Sequence, residues 1–292
     1  MGYLLAIISS LFFSLYVVPR KLSNLSPVLF SFFMSVGFSL SAIILYSFQP
    51  ALHFHETPSL VLLLSVVAGV IWATAFVAFI TSIDLIGLSR SNQWKNLQGP
   101  VGVVLSLLIL GEVATTNPIF ALLAAAAIFL SALFFTTTSS SVEKHLNKKG
   151  VYLASLAALG FGSVAVIQKY VTTNVGTYSQ LVVWSLSITT SLFVYLLLTK
   201  KIRNIKTSSS KDIILGLIAG ILYLGASLFQ LLSYYFLAAS ISFTIVQLNT
   251  FWTITIGILV FKEINLKKYY KNVALGFLFT LIGIFFLVYA RK

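Results

Sequence analysis

Uncharged apolar runs long enough to cross a bilayer recur along this chain of 292 residues. Two of them, Pro118–Thr136 and Val273–Tyr289, contain no charged residue at all. A bilayer core of about 30 Å takes roughly 20 helical residues to cross. Hydrophobic residues make up 59% of the chain, whereas soluble domains hold about 45–50%. The sequence therefore predicts an all-α, multi-pass integral membrane protein of the cell membrane, in contact with the lipid bilayer.

Several other classes of protein are excluded by what the sequence contains. The absence of cysteine removes disulfides, cysteine metal ligands and cysteine nucleophiles. The net charge of +13 does not indicate nucleic-acid binding, because the cations are scattered through short connections. His53, His55 and Glu56 resemble a metal-ligand cluster, but in a short external loop this spacing is incidental. Without a catalytic motif or a mid-span acid pair, we expect no enzyme activity, no catalytic residue, no metal and no cofactor.

Breakers or charged residues divide the apolar sequence into ten predicted transmembrane helices. They cover residues 2–18, 28–48, 59–80, 87–110, 118–137, 151–168, 177–198, 212–233, 239–260 and 272–289. We predict a first five-helix repeat over 1–137, a cytoplasmic connection over 138–150 and a second five-helix repeat over 151–292. In the eighth helix, Gly216 and Gly220 form a GxxxG pattern that favours close helix packing.

The two halves of the chain repeat each other. GYLLAIISSLFFSLYVVPRK (2–21) aligns with GVYLASLAALGFGSVAVIQK (150–169) at an offset of 148. AGVIW (68–72) aligns with AGILY (219–223) at an offset of 151. Because five is an odd number, the second half must enter the membrane from the opposite side. The sequence thus predicts an inverted repeat, an arrangement in which carriers bind substrate near the midplane.

The distribution of basic residues predicts the orientation in the membrane. Connections 1–2, 3–4, 5–6, 7–8 and 9–10 hold fifteen Lys and Arg residues, and the other side holds three, Lys169, Arg291 and Lys292. Since cytoplasmic loops are enriched in Lys and Arg, we expect both termini to lie outside the cytoplasm.

Two long segments carry a resemblance to a known family. They are GLSRSNQWKNLQGPVGVVLSLLILGE (87–112), with Pro100 inside it, and ASISFTIVQLNTFWTITIGILVFKE (239–263). They resemble the fourth and ninth helices of the drug/metabolite transporter superfamily, the EamA-like ten-helix carriers, and the resemblance extends over the whole chain. The G-x-S-R entry and the basic connections look most like the glucose/ribose porter branch of sugar uptake proteins. This resemblance implies a secondary transporter that moves a small polar metabolite, a sugar, by alternating access.

The polar stretch SRSNQWKNLQGP (89–100) is the first candidate for the substrate site. If it is helical, Asn92, Lys95, Asn96 and Gly99 share one face at i, i+3, i+4 and i+7. Amides and an ammonium group are costly against lipid, so we expect this face to line the bundle interior or a water-filled cavity. Arg90 is expected to anchor the helix at the cytoplasmic interface, with Asp84 as its partner.

Further candidates come from the second repeat and from aromatic residues. Gln247 aligns with Asn96, and Asn249 lies close by. Carbohydrates need amide or hydroxyl groups for their rims and aromatic faces for their C–H surfaces. The predicted substrate-binding set is Tyr16, Trp72, Asn92, Trp94, Lys95, Asn96, Tyr223, Gln230, Gln247 and Asn249.

The six acidic residues all fall near helix ends or in loops. No mid-membrane carboxylate is therefore predicted as a proton relay, which leaves facilitated diffusion or exchange, and a coupling ion or counter-substrate stays open. Glu112 and Glu263, at equivalent positions of the two repeats, are placed to cap or gate the ends of the fourth and ninth helices.

Two alternative functions stay open from the sequence. One is an exchanger or exporter of another metabolite, such as a sugar phosphate, an organic acid or an amino acid. For an anionic substrate Lys95 would be the counter-charge. The other is a membrane subunit that transports nothing, although the polar face around Lys95 argues against it.

Overall fold

Thirteen α-helices form nearly all of the chain that the computed structural model describes, which is residues 1–48, 59–86, 88–136, 147–261 and 266–292. They are α1 (Gly2–Leu15), α2 (Val17–Leu22), α3 (Pro27–Ser47), α4 (Ser59–Ile86), α5 (Leu88–Lys95), α6 (Gln98–Ile109), α7 (Pro118–Thr136), α8 (Lys148–Val175), α9 (Thr177–Leu198), α10 (Ser210–Ser233), α11 (Ala239–Val246), α12 (Asn249–Leu259) and α13 (Leu266–Ala290). Short 3₁₀ helices occur at Glu112–Ala114 and Lys201–Ile205.

The prediction of a multi-pass helical membrane protein is confirmed. Within the described residues, nine helical segments are long and apolar enough to cross a bilayer, with α1–α2 and α11–α12 each counted as one. The remaining predicted helix, 87–110, is represented by the two shorter helices α5 and α6. Its polar residues set it apart from the other nine.

Several helices extend beyond their predicted bounds. α4 continues to Ile86 rather than residue 80, α8 reaches Val175 rather than 168, and α13 begins at Leu266 rather than 272. Hydropathy marks the part of a helix that faces lipid, whereas the hydrogen-bonded helix continues through polar turns beyond it. The predicted single helices 87–110 and 239–260 are each broken near the middle, a difference that matters for the site.

Small residues allow α3 and α10 to pack closely. A Cβ atom on Gly216 would lie 2.6 Å from the Cβ of Phe33, and one on Gly220 would collide with the backbone of Met34 and Phe38. The expectation that the GxxxG pattern of α10 serves helix packing is therefore confirmed.

Polar side chains within the bundle bond to the backbone of neighbouring helices. Ser9 Oγ donates to the carbonyl oxygen of Ala226 on α10, and Ser187 Oγ on α9 donates to that of Val66 on α4, each at 2.7 Å. Large apolar residues such as Leu108 lie on the outside instead, where that side chain is 74% exposed. Polar side chains inside the bundle and large apolar side chains on its surface are typical of a helix bundle that is surrounded by lipid.

Both termini lie at the same end of the bundle. A Cβ on Gly2 would lie 2.8 Å from Leu237, in the connection between α10 and α11. At the other terminus, Asn117 N–H donates to the carbonyl oxygen of Ala290 at 2.7 Å. We call this end the terminal face and the other end the opposite face.

Candidate functional site

The fourth and ninth membrane spans are interrupted at matching positions. α5 ends at Lys95 and α6 begins at Gln98, while α11 ends at Val246 and α12 begins at Asn249. At both breaks the backbone makes a tighter i→i+3 hydrogen bond, with Leu97 N–H donating to Trp94 at 3.2 Å and Leu248 N–H donating to Ile245 at 2.9 Å. Irregular backbone at membrane depth is tolerated where protein or a cavity surrounds it.

A side-chain hydrogen bond joins the two breaks. Gln98 Nε2 donates to Gln247 Oε1 at 2.9 Å, and these side chains are only 8% and 9% exposed. Gly99 lies against the same glutamine, because a Cβ there would be 3.3 Å from the Cγ of Gln247. The two amides therefore form a polar bridge at the centre of the bundle.

The bridge borders a central cavity with an empty volume of about 750 Å³, counting its open mouth. The part of this cavity that the centre of a water-sized sphere can reach is about 140 Å³, which is less than the roughly 300–1,000 Å³ typical of small-molecule pockets. Seven of the ten predicted site residues line this central cavity: Tyr16, Trp72, Lys95, Tyr223, Gln230, Gln247 and Asn249. The structure thus brings together residues from α4, α5, α10 and α12, from the junction of α1 and α2, and from the break between α11 and α12.

Aromatic side chains form one wall of the central cavity, arranged around Tyr223. Its ring meets Tyr16 edge-on with centroids 5.3 Å apart, and it meets Trp72 at 5.9 Å. Trp72 in turn stacks on Phe76 with an interplanar angle of 1° and a centroid distance of 5.2 Å. The wall therefore presents flat apolar surfaces held by aromatic contacts.

Hydrogen-bonding groups on the central cavity are incompletely used within the described part of the chain. The indole Nε1 of Trp184 is buried and has no partner among the described residues, although the ring lines the cavity. Gln230 Nε2 donates to the hydroxyl of Tyr234 at 2.7 Å, which leaves its Oε1 for another donor. Since buried polar groups are normally paired, Gln230 Oε1 is suited to accept from a polar ligand, whereas a partner for the Trp184 indole requires a shift of the side chains that cover it.

Lys95 brings the one cation among the described lining residues, and no carboxylate is among them. It is the last residue of α5, and its Nζ lies 5.8 Å from the centroid of the Phe79 ring. Val246, with which Lys95 aligns at the sequence offset of 151, also lines the cavity and is apolar. The central cavity is thus electrostatically asymmetric, with one positive charge at the end of α5.

Three predicted site residues lie outside this cavity: Asn92, Trp94 and Asn96. Trp94 is 38% exposed on the outside of the bundle. Asn96 borders a second, smaller space beside Gly99, with an empty volume of about 270 Å³. The predicted polar stripe assumed one continuous helix, whereas the break between Lys95 and Gln98 brings Gln98 to the central cavity and leaves Asn96 at the smaller space. Asn92 and Trp94 precede the break, in α5, on faces that do not reach the cavity.

Other lining residues escaped the sequence analysis, notably Gln98, Gln168, Trp184 and Phe243. A signal was available for Gln98, because it aligns with Asn249 at the offset of 151. Phe243 likewise aligns with Asn92 but reaches the cavity where Asn92 does not. For Trp184 and Gln168 no pattern distinguishes them from other helix residues.

The acidic residues that the structure describes lie away from the central cavity. Glu112 follows α6. Its carboxylate does not cap the fourth span but accepts hydrogen bonds from the start of α11. Asp212, in the first turn of α10, accepts from Asn24 N–H at 2.9 Å. The predicted role of Glu263 and the side chain of Arg90, with its proposed pairing to Asp84, lie outside the described residues.

No group of three metal-binding side chains occurs in the part of the chain that the structure describes. The sequence cluster of His53, His55 and Glu56 lies outside that part.

Comparison with known proteins agrees with this architecture. A family model described as "Sugar transport protein" matches residues 4–290, whereas no curated protein matches the chain. Among the solved structures, 26 chains match. One of them, described as the crystal structure of a protein, is 11% identical, with 98% of this chain and 95% of that chain covered and a TM-score of 0.74. At that identity the likeness shows the fold alone.

Proposed function

Since the chain belongs to the sugar transport protein family, it is a sugar transporter of the membrane, and we propose that the sugar binds in the central cavity between the broken spans. The observation that carries this proposal is the bridge from Gln98 to Gln247 at the edge of an aromatic-walled cavity. Such a cavity combines a few placed polar groups with apolar walls, as ligand sites do.

The polar and aromatic groups divide the work of recognition. Gln98 Oε1 and Gln247 Nε2 stay available after the bridge is formed, so the pair can accept from one sugar hydroxyl and donate to another. Lys95 and the Trp184 indole supply further donors. The rings of Trp72 and Tyr223 provide the apolar faces on which the C–H surface of a sugar packs.

The transport mechanism we propose is alternating access by two inverted five-helix repeats, residues 1–137 and 151–292. Both repeats break one span at positions related by the offset of 151, with the same i→i+3 bond after the break. The packing supports the relation as well, since α8 packs on α4 as α1 packs on α10. In addition, α3 packs on its own counterpart α9, and α7 packs on its own counterpart α13. Repeats that rock against each other expose a central site to each side in turn.

This arrangement also supports membership of the drug/metabolite transporter superfamily and its glucose/ribose porter branch, with both termini outside the cytoplasm. In the described part of the chain, basic residues gather at the opposite face, in Arg20 and Lys21 after α1 and in the connection from Lys200 to Lys211. Enrichment of Lys and Arg marks the cytoplasmic side.

Uptake by the purified protein in proteoliposomes tests the assignment of the cavity. With labelled glucose and ribose, Gln98→Ala and Gln247→Ala should each lower uptake efficiency about tenfold, because each leaves a polar group in the site unpaired. Trp94→Ala is the matched control outside the cavity and should stay within about twofold of the native protein.

Two results would count against the proposal. Glutamine variants that transport as well as Trp94→Ala would show that the sugar binds elsewhere. Uptake of sugar phosphates with no uptake of neutral sugars would instead support an anion exchanger with Lys95 as the counter-charge.

A further inference from the structure

A second cavity opens at the terminal face and is not used by the proposed sugar site. Its empty volume is about 1110 Å³, counting its open mouth. It lies between the end of α8, the C-terminus and the connection Tyr234–Ala238 that joins α10 to α11. We call this space the vestibule and the segment Tyr234–Ala238 the connection.

Tyr234 separates the vestibule from the central cavity. The residue contributes to the wall of the vestibule, and its hydroxyl accepts a hydrogen bond of 2.7 Å from Gln230, which lines the central cavity. The side chain is fully buried. On α8 the same boundary falls between Gln168, on the central cavity, and Lys169, on the vestibule. A path from the terminal face to the sugar site must therefore pass the connection.

Lys169 holds the first end of the connection. Its ammonium donates to the carbonyl oxygen of Tyr234 and, at 3.1 Å, to that of Leu237. The Tyr234 carbonyl directly follows α10, at the end of a helix where carbonyls lack helical partners and the dipole is negative. Leu237 lies three residues further along the connection, so Lys169 also ties its later part. A cation from α8 thus meets the electronegative end of α10.

Glu112 holds the other end of the connection. One carboxylate oxygen accepts from Ala239 N–H at 2.5 Å, and the other accepts from Ser240 N–H at 2.9 Å and from Ser240 Oγ at 2.7 Å. These groups form the first turn of α11, where amides lack partners and the dipole is positive. Gly111, at φ +65° in the left-handed region, turns the chain after α6 so that Glu112 reaches across the bundle.

We propose that Lys169 and Glu112 act as a charge clamp that holds the connection Tyr234–Ala238 closed over the terminal-face end of the sugar path and releases it once in each transport cycle. The proposal rests on the central cavity as the sugar site. Both residues are positioning residues, since neither lines that cavity. The two helix ends that they hold, the end of α10 and the start of α11, both belong to the proposed second repeat. Releasing these ends frees the connection from α8, which carries Lys169, and from the segment after α6, which carries Glu112.

The absence of cysteine from the chain allows this to be tested with single-cysteine probes. Ala165→Cys places a thiol on the central cavity, and Thr173→Cys places one on the exposed wall of the vestibule. A membrane-impermeant maleimide is added to sealed vesicles on the side at which Thr173→Cys reacts. In the otherwise native chain, Ala165→Cys should react slowly from that side.

Weakening either end of the clamp should raise the reactivity of the central probe. Glu112→Gln places an amide NH₂ against backbone N–H groups, and Lys169→Met removes the donor to the connection. Each should label Ala165→Cys at least about tenfold faster, because loss of charge-assisted hydrogen bonds raises the population of the open state. Labelling of Thr173→Cys should be unchanged in both, which also reports that the protein is folded.

Asp212→Asn is the matched control for the clamp. Asp212 is 7% exposed, like Glu112, and it also accepts from a backbone N–H, but at the opposite face. If Ala165→Cys labels as fast in Asp212→Asn as in Glu112→Gln, the bundle has loosened generally and the clamp is wrong. Fast labelling of Ala165→Cys in the native background, or no increase in both clamp variants, would also overturn the clamp.

The labelling needs no sugar, so its failure can be told apart from failure of the proposed site. If Gln98→Ala shows normal sugar uptake while Glu112→Gln labels faster, the proposed sugar site is wrong, but the clamp between the two cavities is supported. If Gln98→Ala shows reduced uptake while neither clamp variant changes the labelling rate, the clamp is wrong, but the sugar site is supported.

Discussion

The fourth and ninth spans share a backbone geometry but differ in the chemistry they bring to the central cavity. Both break near mid-membrane, and Val101 N–H bonds to Leu97 just as Trp252 N–H bonds to Leu248 beyond the break. Where the fourth span has a cation, Lys95, the ninth has Val246, which is 3% exposed. The comparison indicates that packing of the bundle sets the shape of each break, whereas the side chains at the break are specialised for the ligand.

The strongest way to break this comparison is to place the cation in the other half. Val246→Lys should destabilise the protein by about 3–5 kcal/mol, because it buries a charge with no partner in a position that packs against the bundle. The readout is the thermal unfolding of purified protein in detergent, with Val246→Met as a size-matched uncharged control. A Val246→Lys protein that unfolds at the native temperature would mean that the two halves tolerate charge equally.

Removing the native cation should affect transport more than stability. Lys95→Val should fold normally, since the ammonium has no acidic partner among the described lining residues, but should lower sugar uptake about 10–100-fold through the loss of a charged donor. Uptake kinetics in proteoliposomes measure this, with unfolding of the same preparation as the check on folding. Lys95→Arg keeps the charge and should retain part of the activity. Native uptake by Lys95→Val would place Lys95 outside the sugar contacts.

The comparison also separates what could be predicted from sequence from what could not. Apolar runs predicted the membrane helices because burial in lipid demands length and low charge. The offset of 151 aligns Gln247 with Asn96, and in the structure Gln247 lines the central cavity and accepts a hydrogen bond from Gln98, two residues beyond Asn96. The direction of each side chain around the break could not be predicted, because i+3 and i+4 spacing holds only in an unbroken helix.

Individual residues illustrate that limit. The continuous-helix pattern predicts Asn96 beside Lys95 on the central cavity, but Asn96 lies within the break and borders the smaller space. In a continuous helix Gln98 lies outside the face that holds Lys95 and Gly99, so that pattern does not predict it. In the structure Gln98 makes the bridge to Gln247. Trp184 reaches the cavity through packing between distant segments, information that no local pattern of residues contains.

The smallest expected effect concerns the cause of the break in the fourth span. Pro100 lacks an N–H, and a proline ordinarily explains a break in a helix. The ninth span, however, has Phe251 at the aligned position and breaks in the same way. The carbonyl of Asn96, which an alanine N–H at position 100 would seek, already accepts from Gly99 N–H at 3.3 Å. Pro100→Ala should therefore change the free energy of unfolding by less than about 1 kcal/mol and sugar uptake by less than about threefold.

Uptake and thermal unfolding of Pro100→Ala test this, beside Pro118→Ala as a control in which a proline is lost from the start of α7, where it is readily accommodated. A large loss of uptake in Pro100→Ala alone would mean that proline, and not packing, imposes the break in the fourth span. The two breaks would then have different physical causes, and their shared geometry would no longer support the proposal that both follow from the packing of two related halves.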